Sequence, residues 1–211
     1  LKLDALSRIS VPYLVEQALR NDMGKVLNSN SWLQFSATEW KAVVTNTATT
    51  TFTTNGTAAT TAGANMSDKN FRAIVDEMKK NKVPRLASGN YFSIHSTNSV
   101  GGLYEFLEAK ANQTTMTVAQ NGFMGMYYGT NIAEENHVLS NILNSSYGEA
   151  VFFGDDAVRE KIAIPEEIRI KFPADDFGRD KGICWYYLGG SKIVWQWAED
   201  SEAHIIHVTS T

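Results

Sequence analysis

The sequence predicts an α+β fold, and three observations carry that prediction. Two stretches in the first eighty residues place apolar side chains three and four apart, the spacing of one helix face. Between and after them lie short alternating runs of β-branched and aromatic residues. From Ile183 onward the chain reads as strand throughout. With 211 residues and 43% hydrophobic content, a core can form without a disulfide or a metal staple.

Taken in order, Leu3 to Leu27 is helical, with Val11, Val15, Leu19, Met23 and Val26 on one stripe. Pro12 lacks an amide, which implies a kink or a helix start near Ser10, and polar Asn28 to Ser31 is expected to stop the helix. Trp32 to Val44 reads as a short strand or a helix. Thr45 to Thr61 holds ten threonines in seventeen residues. Threonine favours extended backbone and Asn55-Gly56 is a hairpin-turn signal, so a protruding hairpin is expected, with a disordered loop as the alternative.

Ser67 caps a second helix whose buried face is Phe71, Ile74, Val75 and Met78. Asn90 to His95 alternates as a strand, and Asn98 or Ser99 caps a helix carrying Leu103, Phe106 and Leu107. Gly122 to Thr130 is an aromatic strand, Ile132 to Asn144 a polar loop or short helix, and Ala150 to Phe153 a buried strand. Asp155 to Lys161 reads as one or two helical turns, followed by a sharply alternating Glu167 to Phe172. Ile183 to Leu188, Lys192 to Ala198 and Ala203 to Thr209 are strands, separated by Gly189-Gly190 and an acidic turn at Glu199 to Glu202.

The chemistry-bearing residues form no recognisable catalytic set. There is no phosphate-cradling P-loop, no dinucleotide fingerprint and no nucleophile elbow. Nineteen basic against 23 acidic residues, with no basic run, excludes a dedicated nucleic-acid binder. No apolar run reaches the roughly 18 residues of a membrane span. Cys184 is the only cysteine, which excludes an internal disulfide, and its neighbours Ile183, Trp185 and Tyr186 predict a buried, inert thiol. Glu134, Glu135 and His137 are the best candidate metal ligands, against a solvated loop. His204 and His207 fall three apart in a strand and so point to opposite faces, unable to share an ion. Asp155-Asp156 and Asp175-Asp176 read as turn residues. Trp185 with Tyr187, and Trp195 with Trp197, each share a strand face. Aromatics beyond those needed for the core suit an assembly contact.

The order of these pieces resembles a known family. A long helix leads into a mixed lobe containing Lys82-Val83-Pro84 and the strand Tyr91-Phe92-Ser93-Ile94-His95-Ser96. Gly125-Met126-Tyr127-Tyr128-Gly129-Thr130-Asn131 follows, then Gly148-Glu149-Ala150-Val151-Phe152-Phe153-Gly154 running into Asp155-Asp156-Ala157. The chain closes with Lys192-Ile193-Val194-Trp195-Gln196-Trp197 and His204-Ile205-Ile206-His207-Val208. Over about Val11 to Val208 this series resembles the major capsid proteins of tailed bacteriophages, particularly short-tailed phages with large virion polymerases.

That resemblance implies a spine helix and a long β-sheet in a peripheral domain, and an α+β axial domain around a capsomer axis. Residues 1–30 and 165–211 are then expected in the peripheral domain. Residues 31–164 are expected in the axial one, with the Thr-rich tract near 45–61 as an insertion. It implies a structural subunit and no enzyme, assembling into pentamers and hexamers of an icosahedral shell around double-stranded DNA, in a virion built in the bacterial cytoplasm. The partners would be other copies of the chain, scaffold and portal proteins, and packaged DNA held non-specifically, with no membrane and no cofactor. Trp195, Trp197, Glu134 and Glu135 are the expected subunit-contact residues. The family's N-terminal arm and extended loop are missing from the sequence, and Leu1 enters what reads as mid-helix, so a trimmed subunit is expected, monomeric or weakly oligomeric. An encapsulin-like compartment shell, a carbohydrate-binding or adhesin module and a hydrolase are the competing readings.

Overall fold

The computed structural model describes residues 11–56, 62–103, 123–135, 148–171, 182–197 and 202–211. The chain divides into two compact units, Leu1–Ser31 with Glu160–Ser191, and Trp32–Arg159 with Lys192–Thr211. These bounds differ from the expected ones most in 192–211, which lies in the second unit because its strand pairs in the middle of that unit's sheet.

Helix α1 is Val11–Ser36, and at about 1.5 Å per residue its 26 residues span about 39 Å. Pro12 stands in the first turn, where the missing amide breaks no bond. The helix runs through Asn28–Ser31 instead of stopping there. Ser29 Oγ donates to the Lys25 carbonyl at 2.9 Å, so the polar run satisfies itself locally. Trp32, buried in the second unit, continues the helix by packing. The expected stripe does not lie in a core: Val15 and Val26 are exposed, as are Tyr13, Leu14 and Leu33.

The second unit is built on a seven-stranded mixed sheet. Its strands are β1 (Lys41–Asn46), β2 (Thr49–Thr53), β3 (Tyr91–His95), β4 (Phe123–Tyr127), β5 (Thr130–Glu134), β6 (Gly148–Phe153) and β9 (Ile205–Ser210), in the order β2-β1-β9-β6-β3-β5-β4. The pairs β1–β9 and β3–β5 are parallel and the rest antiparallel. Every residue of β9 is buried, because both faces of the sheet are covered at its centre. On one face lies α2 (Asp68–Lys80), whose Phe71, Ile74, Val75 and Met78 are completely buried against Val44, Phe152, Ile206 and Val208. Ser67 Oγ caps it by accepting from Asn70 N, as the sequence predicts. On the other face Trp32 and Phe35 of α1 pack with Val151, Phe153, Ile193 and Ile205.

The Thr-rich tract forms a hairpin, but its turn is Thr47-Ala48 and not Asn55-Gly56. The earlier turn wins through its bonds: Asn46 Oδ1 accepts from Ala48 N at 2.8 Å, Ser67 Oγ donates to the Thr47 carbonyl at 2.6 Å, and Asn70 Nδ2 donates to the Asn46 carbonyl at 3.0 Å. β2 is therefore an edge of the main sheet and not a free-standing projection. The next helical segment, 97–103, is capped by Ser96, whose Oγ accepts from Ser99 N, and not by Asn98 or Ser99. Phe106 and Leu107 lie outside the described residues.

Three further expectations are corrected. Thr130–Glu134 is a strand, joined to β4 by a two-residue turn in which Tyr128 and Gly129 both have positive φ (48° and 76°). Lys79 Nζ sits 3.9 Å over the Tyr128 ring, and the Tyr128 hydroxyl donates to Asp76 Oδ1 at 3.0 Å, which holds the tyrosine in that conformation. Asp155–Lys161 is not helical: Asp156 takes φ +54° in a turn, and β7 (Val158–Lys171) starts at once. β8 (Gly182–Ile193) runs unbroken through Gly189-Gly190, because β7 pairs along it.

Gly148, at the start of β6, has no room for a side chain. A Cβ there would lie 2.5 Å from Ser99 N and 2.7 Å from Ser99 Cα. Gly148→Ala is expected to destabilise the protein by about 1–3 kcal/mol, since backbone must move to admit the methyl group. Urea unfolding at neutral pH checks this, and a change within ~0.5 kcal/mol would contradict the close approach.

In the first unit β7 and β8 form a two-stranded sheet. Alternation half-buries Ile183, Trp185 and Tyr187 and exposes Cys184, Tyr186 and Leu188. The predicted buried thiol is therefore exposed: aromatic neighbours in sequence lie on the opposite face of a strand. Trp185 Nε1 donates to Asp22 of α1 at 3.4 Å, and Arg169 lies 4.2 Å over the Tyr186 ring.

Candidate subunit-contact site

Among the described residues, the most exposed aromatic surface of the second unit is the irregular segment after β8. Trp195 and Trp197 do not lie on a strand as expected. Val194 N donates to the Ala157 carbonyl at 3.1 Å, and Glu39 N donates to the Gln196 carbonyl at 3.5 Å. Pinning residues 194 and 196 inward leaves 195 and 197 facing out, with Trp195 37% and Trp197 63% exposed.

Around Trp195 the surface is polar and fixed. Its ring lies 5.3 Å from that of His204, whose Nδ1 is 2.7 Å from the Asp155 carbonyl and donates to it. Arg159 grips Asp156 through two bonds of 2.6 and 2.8 Å. That guanidinium, with smaller contributions from the Trp195 indole and His204, holds the Asp156 carboxyl below the usual carboxylate range. The result is an indole platform rimmed by a paired carboxylate, a guanidinium and an imidazole. Aromatic anchors within a polar rim suit a protein contact, while bond-making chemistry would need a nucleophile or a free base there.

Glu134 ends β5 and Glu135 follows it, far from this platform in sequence. Thr97 Oγ1 donates to Glu134 Oε1 at 2.5 Å, and Glu135 N donates to the His95 carbonyl at 2.9 Å. His137 lies outside the described residues. Among the described residues no group of three His, Cys, Asp or Glu side chains is placed to hold a metal ion.

His204 and His207 do point apart. His207 is buried at the heart of the sheet beside two further ionisable groups that a survey of sequence spacing does not bring together. Lys41 is its register partner on β1, and Glu149 Oε2 lies 3.2 Å from His207 Nε2. All three are at least 94% buried, with exposures of 6, 1 and 2%. Burial pushes the Lys41 ammonium down to about 8, against a raising effect of Glu149. Burial also lowers His207, Lys41 adds to that, and Glu149 partly offsets it. A charged residue inside an apolar strand, Glu149 in Gly148–Phe153 or Lys41 beside Trp40 and Val43, is the signal that could have found this cluster. Sealed from solvent, it has no route to a substrate.

The fold itself has known counterparts. The chain is similar to one in the capsid of the cyanophage P-SCSP1u, with 14% identity and a TM-score of 0.65, covering 99% of this chain and 68% of that one. It is likewise similar to a chain in the head of the Helicobacter pylori bacteriophage KHP40, with 11% identity and a TM-score of 0.63, over 100% of this chain and 70% of that one. For the capsid asymmetric unit of the cyanophage Pam1 the values are 14% and 0.58, over 97% and 70%. No protein-family model matches the chain, and no curated protein matches its sequence. At these identities the likeness establishes the fold: this chain has the fold of phage capsid subunits.

Proposed function

We propose that this chain is a structural subunit of a phage shell, the major capsid protein of a tailed bacteriophage. One observation carries the reading: a capsid fold matched over 99% of the chain at a TM-score of 0.65. The exposed apolar surface supports it. A two-stranded sheet is marginal by itself, yet β7 and β8 present Ile162, Ile170, Tyr186 and Leu188 to solvent, while α1 presents Tyr13, Leu14 and Val15. Such surface is costly on a protein that works alone and ordinary on one covered by neighbours. In this reading the protein acts by geometry and not by catalysis. Copies pack into pentamers and hexamers around double-stranded DNA, and the unit of 32–159 and 192–211 takes the place next to the capsomer axis. Its location is the virion capsid, assembled in the bacterial cytoplasm, with scaffold and portal proteins as further partners. Neither the compartment-shell nor the carbohydrate-binding alternative gains an observation of its own, and the mixed sheet with its helix counts against a β-sandwich module.

The test is assembly. Size-exclusion chromatography and electron microscopy of the full-length protein are expected to show capsomers or closed shells. A strict monomer under every assembly condition ends the reading.

Trp195, Trp197, Glu134 and Glu135 are the residues proposed to meet neighbouring subunits. Trp197→Ala removes a side chain that is 63% exposed, so folding stability is expected to change by less than about 0.5 kcal/mol. Association is expected to weaken by about 2 kcal/mol or more, roughly thirtyfold, as for a buried aromatic anchor. Glu134→Lys with Glu135→Lys is expected to impair assembly more modestly. Wild-type assembly by Trp197→Ala in light scattering removes Trp197 from the interface.

A further inference from the structure

The buried trio Lys41, Glu149 and His207 lies beneath the last turn of α1. His207 and Lys41 are register partners on parallel strands, and His207 also pairs with Val151 on β6, two residues from Glu149 and on the same side of the sheet. The Trp32 ring stands edge-on to the His207 ring, with centroids 6.1 Å apart. Lys41 Nζ reaches up to the Ser36 carbonyl at 2.6 Å, a cation at the negative end of the helix. One charged side chain of the sheet thus holds the helix terminus, and one imidazole supports its only buried tryptophan. The division of the chain into two units falls between Ser31 and Trp32, at the first residue of this turn.

While Lys41 and Glu149 are both charged, the trio balances only with His207 neutral. With Lys41 positive, Glu149 negative and His207 neutral, the net buried charge is zero. The neutral ring donates Nε2–H to Glu149 and leaves a bare acceptor at Nδ1, which has no partner. A second proton on the ring puts an N–H at Nδ1 with nothing to receive it, and places an uncompensated positive charge beside Lys41. Both are expensive in a sealed site. Among the described residues no other titratable group faces the ring: β1 contributes Lys41, β6 contributes Glu149, and the α1 turn and the strand ends around it contribute Trp32, Phe35, Phe153, Ile193 and Ile205.

We propose that Lys41, Glu149 and His207 form a proton-operated latch on the C-terminal turn of α1, closed while His207 is neutral and opened when His207 takes up a proton. Opening means that residues 32–36 lift from the sheet while the opposite face, held by α2, stays packed. The latch is a property of the single chain and stands or falls independently of the shell reading.

The test is hydrogen exchange on the full chain between pH 7.5 and 4.5, with protection factors corrected for the intrinsic rate. Protection of the amides at 33–41 is expected to fall below pH 6.5 by up to about tenfold per pH unit, as one linked proton requires. Amides of α2 exchange only through global unfolding; they follow the acid loss of overall stability and are expected to stay better protected than 33–41 at every pH. His207→Gln keeps a donor for Glu149 but cannot titrate, and is expected to keep 33–41 protected. Lys41→Met leaves Glu149 to neutralise the imidazolium, and is expected to flatten the acid dependence even where His207→Gln folds poorly. If both variants lose protection as the wild type does, or if α2 opens together with 33–41, the latch is wrong. Loss of the acid response in His95→Leu alone would assign it to the other face and likewise overturn the proposal.

Discussion

Phe71→Ala is expected to cost about 3–5 kcal/mol of folding stability, the largest effect of any single truncation on the helix-covered face of the sheet. Phe71 is completely buried, and its ring touches three others: Phe152 at 5.1 Å, Tyr127 at 5.4 Å and His95 at 6.1 Å between centroids, the last nearly parallel. These partners come from β6, β4 and β3, so the ring is where α2 meets three strands far apart in sequence. Two of them cannot follow a shrinking neighbour. Phe152 is fixed in the middle of the sheet, and Tyr127 is tied by its hydroxyl to Asp68 and Arg72. The vacated volume therefore stays open, which puts the loss at the upper end of the range for aromatic truncation. Arg72→Ala, one residue on and exposed, gives up an ion pair and the bond to Tyr127 and is expected to cost under about 1 kcal/mol. Urea unfolding with the slope compared between variants separates the two. A loss below about 1 kcal/mol for Phe71→Ala would show that α2 is not held by this face.

How far the fold could be read in advance depended on whether the deciding contact was local. The spacing of Phe71, Ile74, Val75 and Met78 and the Ser67 cap fixed α2, because helix face and cap act within one or two turns. The alternation through Tyr91–His95 likewise gave β3. The failures lie where a distant residue decides. Asn55-Gly56 is the better turn in isolation, yet Thr47-Ala48 is chosen by Ser67 and Asn70, twenty and more residues away. Asn28 to Ser31 stays helical because Trp32 has a pocket made by β6 and β9. Gly189-Gly190 does not break β8 because β7 pairs across it. For the candidate contact surface, the exposed indoles were visible as an aromatic surplus, but their outward direction comes from backbone bonds at Val194 and Gln196. Of the buried trio, each charged member stands out in its apolar strand, but their meeting is not legible, since Glu149 and His207 are 58 residues apart and only the register of β6 against β9 unites them.

Stability is expected to fall steeply in acid, and His95 is the main reason. The ring is fully buried between Phe71 and Phe152, its Nδ1 3.3 Å from Ser99 Oγ and its Nε2 without a partner. Burial pushes its pKa down to about 3, where an unfolded chain would titrate near 6.5. The neutral ring is thus the folded form, and the unfolded chain binds the extra proton at every pH between those two values. Stability contributed by keeping His95 neutral is intact above about 6.5 and is lost as pH falls, at about 1.4 kcal/mol per pH unit. By pH 4 that is roughly 3 kcal/mol, a large part of the 5–15 kcal/mol that holds an ordinary domain together. His207, lowered by the same cause, adds to the slope in the same direction. His95→Leu removes the titration while filling similar volume, at the cost of leaving Ser99 without its ring partner. The variant is expected to be slightly less stable at pH 7 and more stable than the wild type at pH 4, so the two stability curves cross. Urea midpoints measured at half-unit steps locate the crossing. Parallel curves over the whole range would mean that His95 titrates in the folded protein as it does in the open chain, and that the acid response arises elsewhere.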